Sequence, residues 1–164
     1  MKIAVVDYDA GNLTSVETAL RHLGVEFTVT PRPEDLRRAE KIIFPGVGDG
    51  AHAMSVLRER GLDEAIRERV AAATPVLGIC VGCQVAFEET QEGNASCLGL
   101  VPGTVRRFAP EVGKVPHMGW NTVRHAQSGG SDHWLFARIP QEASFYFVHS
   151  YYPSPERAND AIAW

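Results

Sequence analysis

PVLGICVGCQVAFEE, residues 75–89, opens as a β-branched apolar run, closes with helical texture, and sets Cys80 between Gly78 and Gly82 at the changeover. A strand that turns sharply into a helix at G-x-C-x-G is the context of a nucleophile elbow, with Cys in the place more often held by Ser. Such a turn holds its central residue in a strained backbone conformation, and glycines two positions away on each side leave room where a larger side chain would clash. The thiol then projects where the unpaired N–H groups of a helix start favour a negatively charged, nucleophilic sulfur. The N–H of Val81, the next residue, is placed to bind a developing oxyanion. The competing reading is a buried structural cysteine that happens to lie between glycines.

Working outward, strand and helix signals alternate. KIAVVDY reads as a strand, and Asn12 can cap a helix whose Leu13, Val16, Leu20 and Leu23 recur at helical spacing until Gly24. VEFTV is a second strand, PEDLRRAE a helical turn opened by Pro33, and KIIF a third strand that runs into PGVG. Helical patterns cover about 51–60 and LDEAIRERV; PVLGIC is then a strand, with its following helix expected to reach about Glu89. Crossovers of this length join parallel strands, so the first half predicts an open, mostly parallel α/β sheet with helices on both faces. From Leu98 onward GTVRRF, GWNTVRH and ASFYFVHSYY are strands separated by Gly, Pro and His, which predicts an antiparallel section in the second half. AQSGGSDH, about 126–133, reads as a surface turn, and the closing AIAW as a strand-like fragment.

Composition narrows the function. The chain has 164 residues, 45% of them hydrophobic, which suits one ordinary domain. Sixteen Lys and Arg against 20 Asp and Glu, with no run of like charge, argue against a nucleic-acid partner. Three cysteines, no secretory leader pattern and no apolar run near about 20 residues point to a reduced cytoplasmic protein without a membrane span.

Two further features are expected on the Cys80 edge. PGVG, residues 45–48, ends the third strand at the sheet edge where ligands bind, and could supply a second oxyanion donor. Gly46, Gly48 and Ala51 also satisfy a dinucleotide fingerprint, but one that follows the third strand, with its twentieth position in a helix and not at a strand end. Gln84 lies one helical turn from Cys80 and can bond an amide-bearing substrate, or else faces solvent as an ordinary polar helix residue. His149 can reach the active edge as a base, though a satisfied structural histidine is the better reading. His22, His52, His117, His125 and His133 show no metal-ligand spacing with Cys83 or Cys97, and Cys97 reads as packing.

DYDAGNLTSVETAL, PGVGDGAHAM, LGICVGCQVAFEE, KVPHMGWN and YFVHSYY together resemble, in order, the blocks of the glutaminase subunit of imidazole glycerol phosphate synthase, a class I glutamine amidotransferase. The resemblance implies a flavodoxin-like three-layer sandwich and a mechanism. Cys80 attacks the glutamine carboxamide, Gly48 and Val81 border the oxyanion hole, and Gln84 with His149, Ser150 and Tyr151 holds the substrate. Ammonia passes to a (β/α)8-barrel cyclase subunit, with Tyr146 and the loop of Asn12 near that partner. No cofactor is implied.

Val81 and Cys83 stand where the family usually has Leu and Met. The family's His-Pro-Glu, which completes its triad, occurs nowhere in residues 1–164, so the resemblance implies a single amidotransferase domain lacking its C-terminal part and nearly inactive by itself. A docking module without turnover and a redox-responsive thiol protein are the alternatives.

Overall fold

The computed structural model describes residues 2–128 and 131–164. β1 (Ile3–Val6), β2 (Phe27–Thr30), β3 (Lys41–Gly46) and β4 (Val76–Cys80) form a parallel sheet in the order β2-β1-β3-β4. Between them run α1 (Leu13–His22), α2 (Pro33–Arg37), α3 (Gly50–Glu59) and α4 (Leu62–Ala71). Local chemistry sets the starts: the Asn12 carboxamide accepts from Ser15 N at 3.2 Å, the Asp49 carboxylate accepts from His52 N at 2.9 Å, and Pro33 opens α2.

One face of the sheet carries the main core. Ala4, Val6, Ile42 and Phe44 meet Leu36 of α2, Met54 and Leu57 of α3, and Leu62 and Ile66 of α4, all essentially inaccessible to water. Each of these side chains larger than alanine gains roughly 1.5–3 kcal/mol from burial. On the other face the register aligns Ile3 with Phe27 and Val5 with Val29, and Arg21 of α1 lies over the Phe27 ring at 5.7 Å. Helices therefore flank both faces, as the alternation predicted, but α1 buries only Leu20 fully, and Leu23 of its apolar stripe is exposed.

The segment after Cys80 departs from expectation. α5 spans only Val81–Gln84, and the chain re-enters a sheet as β5 (Phe87–Thr90) in place of a helix to Glu89. Tertiary pairing overrides helical propensity here. β5 lies parallel to β7 (Val101–Arg107) and antiparallel to β6 (Ala95–Ser96), while the Glu88 carboxylate accepts the Gly103 N–H at 2.8 Å across an irregular register. Phe87 and Thr90 turn inward, Glu88 and Glu89 outward.

The predicted antiparallel section is present. β8 (His117–Val123), β9 (Gln127–Ser128), β10 (Ser131–Asp132), β11 (Ala143–His149) and β12 (Tyr151–Pro155) follow; β8 pairs with β11, β9 with β10, and β12 joins β7. The expected turn at 126–133 thus has short paired strands on either side of residues 129 and 130, which lie outside the described residues. AIAW forms no strand, only a single bridge from Ala163 to His125. Among the described residues no helix is long and apolar enough to cross a membrane.

Candidate active site

β4 ends on Cys80 with φ 55° and ψ −116°, a conformation costing a non-glycine residue about 1–3 kcal/mol. The side chain is exposed. Both flanking glycines are demanded by contact. A Cβ at Gly82 would overlap the Phe44 carbonyl of β3, and one at Gly78 would stand 2.8 Å from Cys83 N and Cα. The elbow is thus pressed onto its own strand and the neighbouring one, and the glycines give the strained Cys80 its fixed setting.

PGVG is brought to the same place. Gly46 registers opposite Cys80, and a Cβ on it would lie 2.8 Å from Gly82 N and from the Val81 Cβ. Gly48, at φ 92°, is exposed and has no atom within 4 Å of where a Cβ would be. The chain beyond is clamped at two of the first three α3 amides: Asp49 takes the His52 N–H, and the Glu92 carboxylate takes the Gly50 N–H at 3.1 Å. Burial raises the Glu92 carboxyl above the ordinary carboxylate range; the Gly50 bond pulls it down and the nearby Asp49 charge adds to the rise.

Gln84 does not face solvent, the alternative its spacing allowed. It is 8% exposed, and its Oε1 is buried without a hydrogen-bond partner. An unpaired buried oxygen costs about 1–3 kcal/mol, which singles the residue out. Sequence reasoning missed a second orphan, Tyr8. Its ring packs edge-on to Phe44 at 5.6 Å, and its hydroxyl is buried unpaired beneath Gly46. Burial, then the charge of Cys80, pushes the phenol up to about 12, with the Val47 backbone pulling the other way. The period-2 alternation of Ala4, Val6 and Tyr8 was the available signal.

His149, Ser150 and Tyr151 lie at the β11–β12 junction. The His149 Nδ1–H donates to the Tyr151 carbonyl at 2.8 Å, and the ring packs on Phe108 at 5.0 Å and His117 at 5.6 Å. Its Nδ1 is engaged within the β11–β12 junction, and among the described residues no hydrogen bond or ring contact carries it to Cys80. Tyr146, on the opposite face of the same ribbon, is 55% exposed and meets its cross-strand partner Trp120 edge-on at 5.6 Å. Trp120, 71% exposed, was not singled out from the sequence, although alternation puts it beside Met118, Tyr146 and Val148 on one open apolar face. Asn12 is exposed and occupied as the α1 cap. Among the described residues no group of three or more His, Cys, Asp or Glu could hold a metal ion.

An exposed cysteine at a strained strand-to-helix turn, with a glycine strand alongside, suits nucleophilic attack on a carbonyl whose developing oxyanion meets backbone N–H groups. The glutamine amidotransferase class-I family matches residues 4–163. The imidazole glycerol phosphate synthase subunit HisH of Dehalococcoides mccartyi is 51% identical over 154 residues, 93% of this chain and 73% of its own. That of Nitratidesulfovibrio vulgaris is 47% identical over 160 residues, again 93% and 73%. Among solved structures, a glutamine amidotransferase superposes with a TM-score of 0.66 at 22% identity, covering 94% of this chain and 74% of that one. PurLQS from Thermotoga maritima also gives 0.66, at 18% identity, covering 96% and 70%. Both structures speak to the fold alone. From residue 4 to residue 163, this chain belongs to the glutamine amidotransferase class-I family and groups with its HisH members.

Proposed function

We propose that this chain is the glutaminase subunit of imidazole glycerol phosphate synthase, acting in the cytoplasm in histidine biosynthesis, with residues 1–164 working as one amidotransferase domain. The observation that carries the reading is Cys80, exposed at φ 55° on the strand end that registers with Gly46 of PGVG. Cys80 Sγ adds to the glutamine carboxamide carbon, the oxyanion is held by the N–H groups of Val81 and Gly48, and the C–N bond breaks to release ammonia. Water then hydrolyses the glutamyl thioester to glutamate. The unpaired Gln84 Oε1 is suited to accept from the substrate's amino or amide N–H, and His149, Ser150 and Tyr151 complete the holding group. A nucleophile without its base loses several orders of magnitude in rate, and no His-Pro-Glu occurs in residues 1–164; these residues alone hydrolyse glutamine poorly.

The ammonia goes to the cyclase subunit. The Met118, Trp120, Tyr146 and Val148 face supports docking there: it is apolar, open and centred on two aromatic rings, the composition of binding hot spots. Asn12 lies in the loop assigned to that interface. The deciding experiment uses the protein together with its cyclase subunit. Cys80→Ala is expected to abolish glutamine-dependent turnover while leaving ammonia-dependent cyclase turnover and complex formation intact. Glutamine turnover that survives the substitution would sink the reading.

A further inference from the structure

Cys80 is followed three residues later by Cys83, so the elbow is also a C-x-x-C sequence at a strand-to-helix junction of a parallel α/β sheet, the setting of dithiol redox sites. The two thiols differ in kind. Cys80 is exposed at the cap of α5; Cys83 is largely enclosed within the same turn. Burial raises the Cys83 thiol above its ordinary range, and the charge of Cys80 raises it further. Cys97 is elsewhere, buried after β6 with its Sγ 3.6 Å from the Ala95 carbonyl.

The backbone brings the pair within bonding range. The two residues between them, Val81 and Gly82, lie in α5, and a helical link of that length sets the Cα atoms of Cys80 and Cys83 about 5 Å apart, inside the range that a disulfide spans. The Cys83 backbone settles directly over Gly78, two residues before Cys80, where a Cβ would meet it at 2.8 Å. We propose that Cys80 and Cys83 form a reversible oxidation site for hydroperoxides, closing to an intrachain disulfide that protects the nucleophile from irreversible oxidation.

The chemistry balances. The Cys80 thiolate attacks one peroxide oxygen, the O–O bond breaks, and Cys80 becomes a sulfenic acid as the peroxide is reduced to water. Cys83 sulfur then attacks the Cys80 sulfur; the S–S bond forms, the S–O bond breaks, and the departing hydroxide takes the Cys83 proton as a second water. Two thiols lose two electrons and two hydrogens per peroxide. Cys83 has no assigned part in glutamine hydrolysis. The site does not rest on the glutaminase reading; only its consequence, an enzyme switched off and recoverable, does.

The test treats the complex of the protein and its cyclase subunit with stoichiometric hydrogen peroxide, followed by intact mass and mapping of the peptide holding both residues. The wild type is expected to become about 2 Da lighter with the bond between Cys80 and Cys83, and to recover its glutamine turnover on adding dithiothreitol. Cys83→Ala is expected to gain oxygen at Cys80 and to recover at least about tenfold less activity. Cys83→Ser should behave as Cys83→Ala, which separates loss of the sulfur from loss of packing. Oxygen accumulating on Cys80 equally in wild type and Cys83→Ala, or a bond to Cys97 or to another chain in its place, would overturn the proposal. The mass readout stands apart from turnover, so a reduced complex that never consumes glutamine defeats the glutaminase reading without deciding this one.

Discussion

Gly82→Ala probes the point on which the elbow is set. The added Cβ would overlap the Phe44 carbonyl oxygen, with the carbonyl carbon 2.8 Å and the Phe44 ring Cγ 3.3 Å away. None of these atoms can step aside cheaply: Phe44 is buried in β3, which is held between β1 and β4. α5 must therefore lift off the sheet and carry Cys80 and Val81 with it. Overpacking of this sort costs about 1–3 kcal/mol. For a domain of this length, each kcal/mol lowers Tm by about 2–4 °C, so a fall of roughly 2–12 °C is expected in thermal unfolding. A displacement near 1 Å at a nucleophile costs on the order of 100-fold in rate, and the loss should fall on kcat of glutamine-dependent turnover in the complex. Ammonia-dependent turnover, which bypasses the elbow, should hold. A Gly82→Ala protein with wild-type Tm and wild-type kcat would refute the claim that this contact sets the nucleophile.

Truncating the open face of the ribbon should act on binding alone: Trp120→Ala and Tyr146→Ala each weaken the cyclase complex by about 2 kcal/mol, roughly 30-fold in Kd by titration calorimetry, with Tm unchanged because both rings are exposed. Tyr8→Phe removes an unpaired hydroxyl and keeps the ring contact with Phe44, so urea unfolding at neutral pH should show stability unchanged or raised by about 1 kcal/mol; a clear loss would mean that the hydroxyl is bonded in the native state. Alkaline titration has a defined sign. Burial raises Cys97 from 9.0 to about 11 and Tyr8 from 10.0 to about 12, so the native state holds these protons more tightly than the unfolded chain. Stability is therefore full below pH 9 and declines as pH rises through 9 to 12, with Tyr8→Phe flattening the upper part of the fall. Glu92→Ala should lower stability by about 1 kcal/mol through loss of the Gly50 bond, read as a shift in the urea midpoint without a change in slope.

The parallel half of the fold was legible because its signals are local. Apolar runs of strand length, Asn12 and Pro33 at helix starts, and glycines at changeovers each state their own conformation. The stretch after Cys80 was not legible for the opposite reason. VAFEE leaves the helix for a strand only because β7, ten or more residues later, offers a parallel edge and Gly103 offers an N–H to Glu88. Within the site the same division holds. Cys80 and its glycines could be read from spacing, since the contacts that demand them belong to adjacent strands. For Tyr8 alternation with Ala4 and Val6 could give only the inward direction of the ring, because nothing near it in sequence says that its hydroxyl ends beneath Gly46.

The β8–β11 ribbon shows why His149 and Tyr146, three residues apart on one strand, were assigned different tasks and serve different faces. Antiparallel register pairs His149 with His117 and Tyr146 with Trp120, and alternation sends the two pairs to opposite sides. The histidine side closes on Phe108 and on the Tyr151 carbonyl, which uses the His149 Nδ1 proton as a structural tie. Among the described residues the aromatic side, with Trp120 and Tyr146 exposed, closes on nothing. A substitution at His149 should therefore disturb the β11–β12 junction, and with it the placement of Ser150 and Tyr151, while leaving the Trp120–Tyr146 pair in place. His149→Asn, which can still donate to a carbonyl, should retain more glutamine turnover than His149→Ala at equal cyclase affinity. Equal loss of affinity for both would mean that the two faces of the ribbon are not independent.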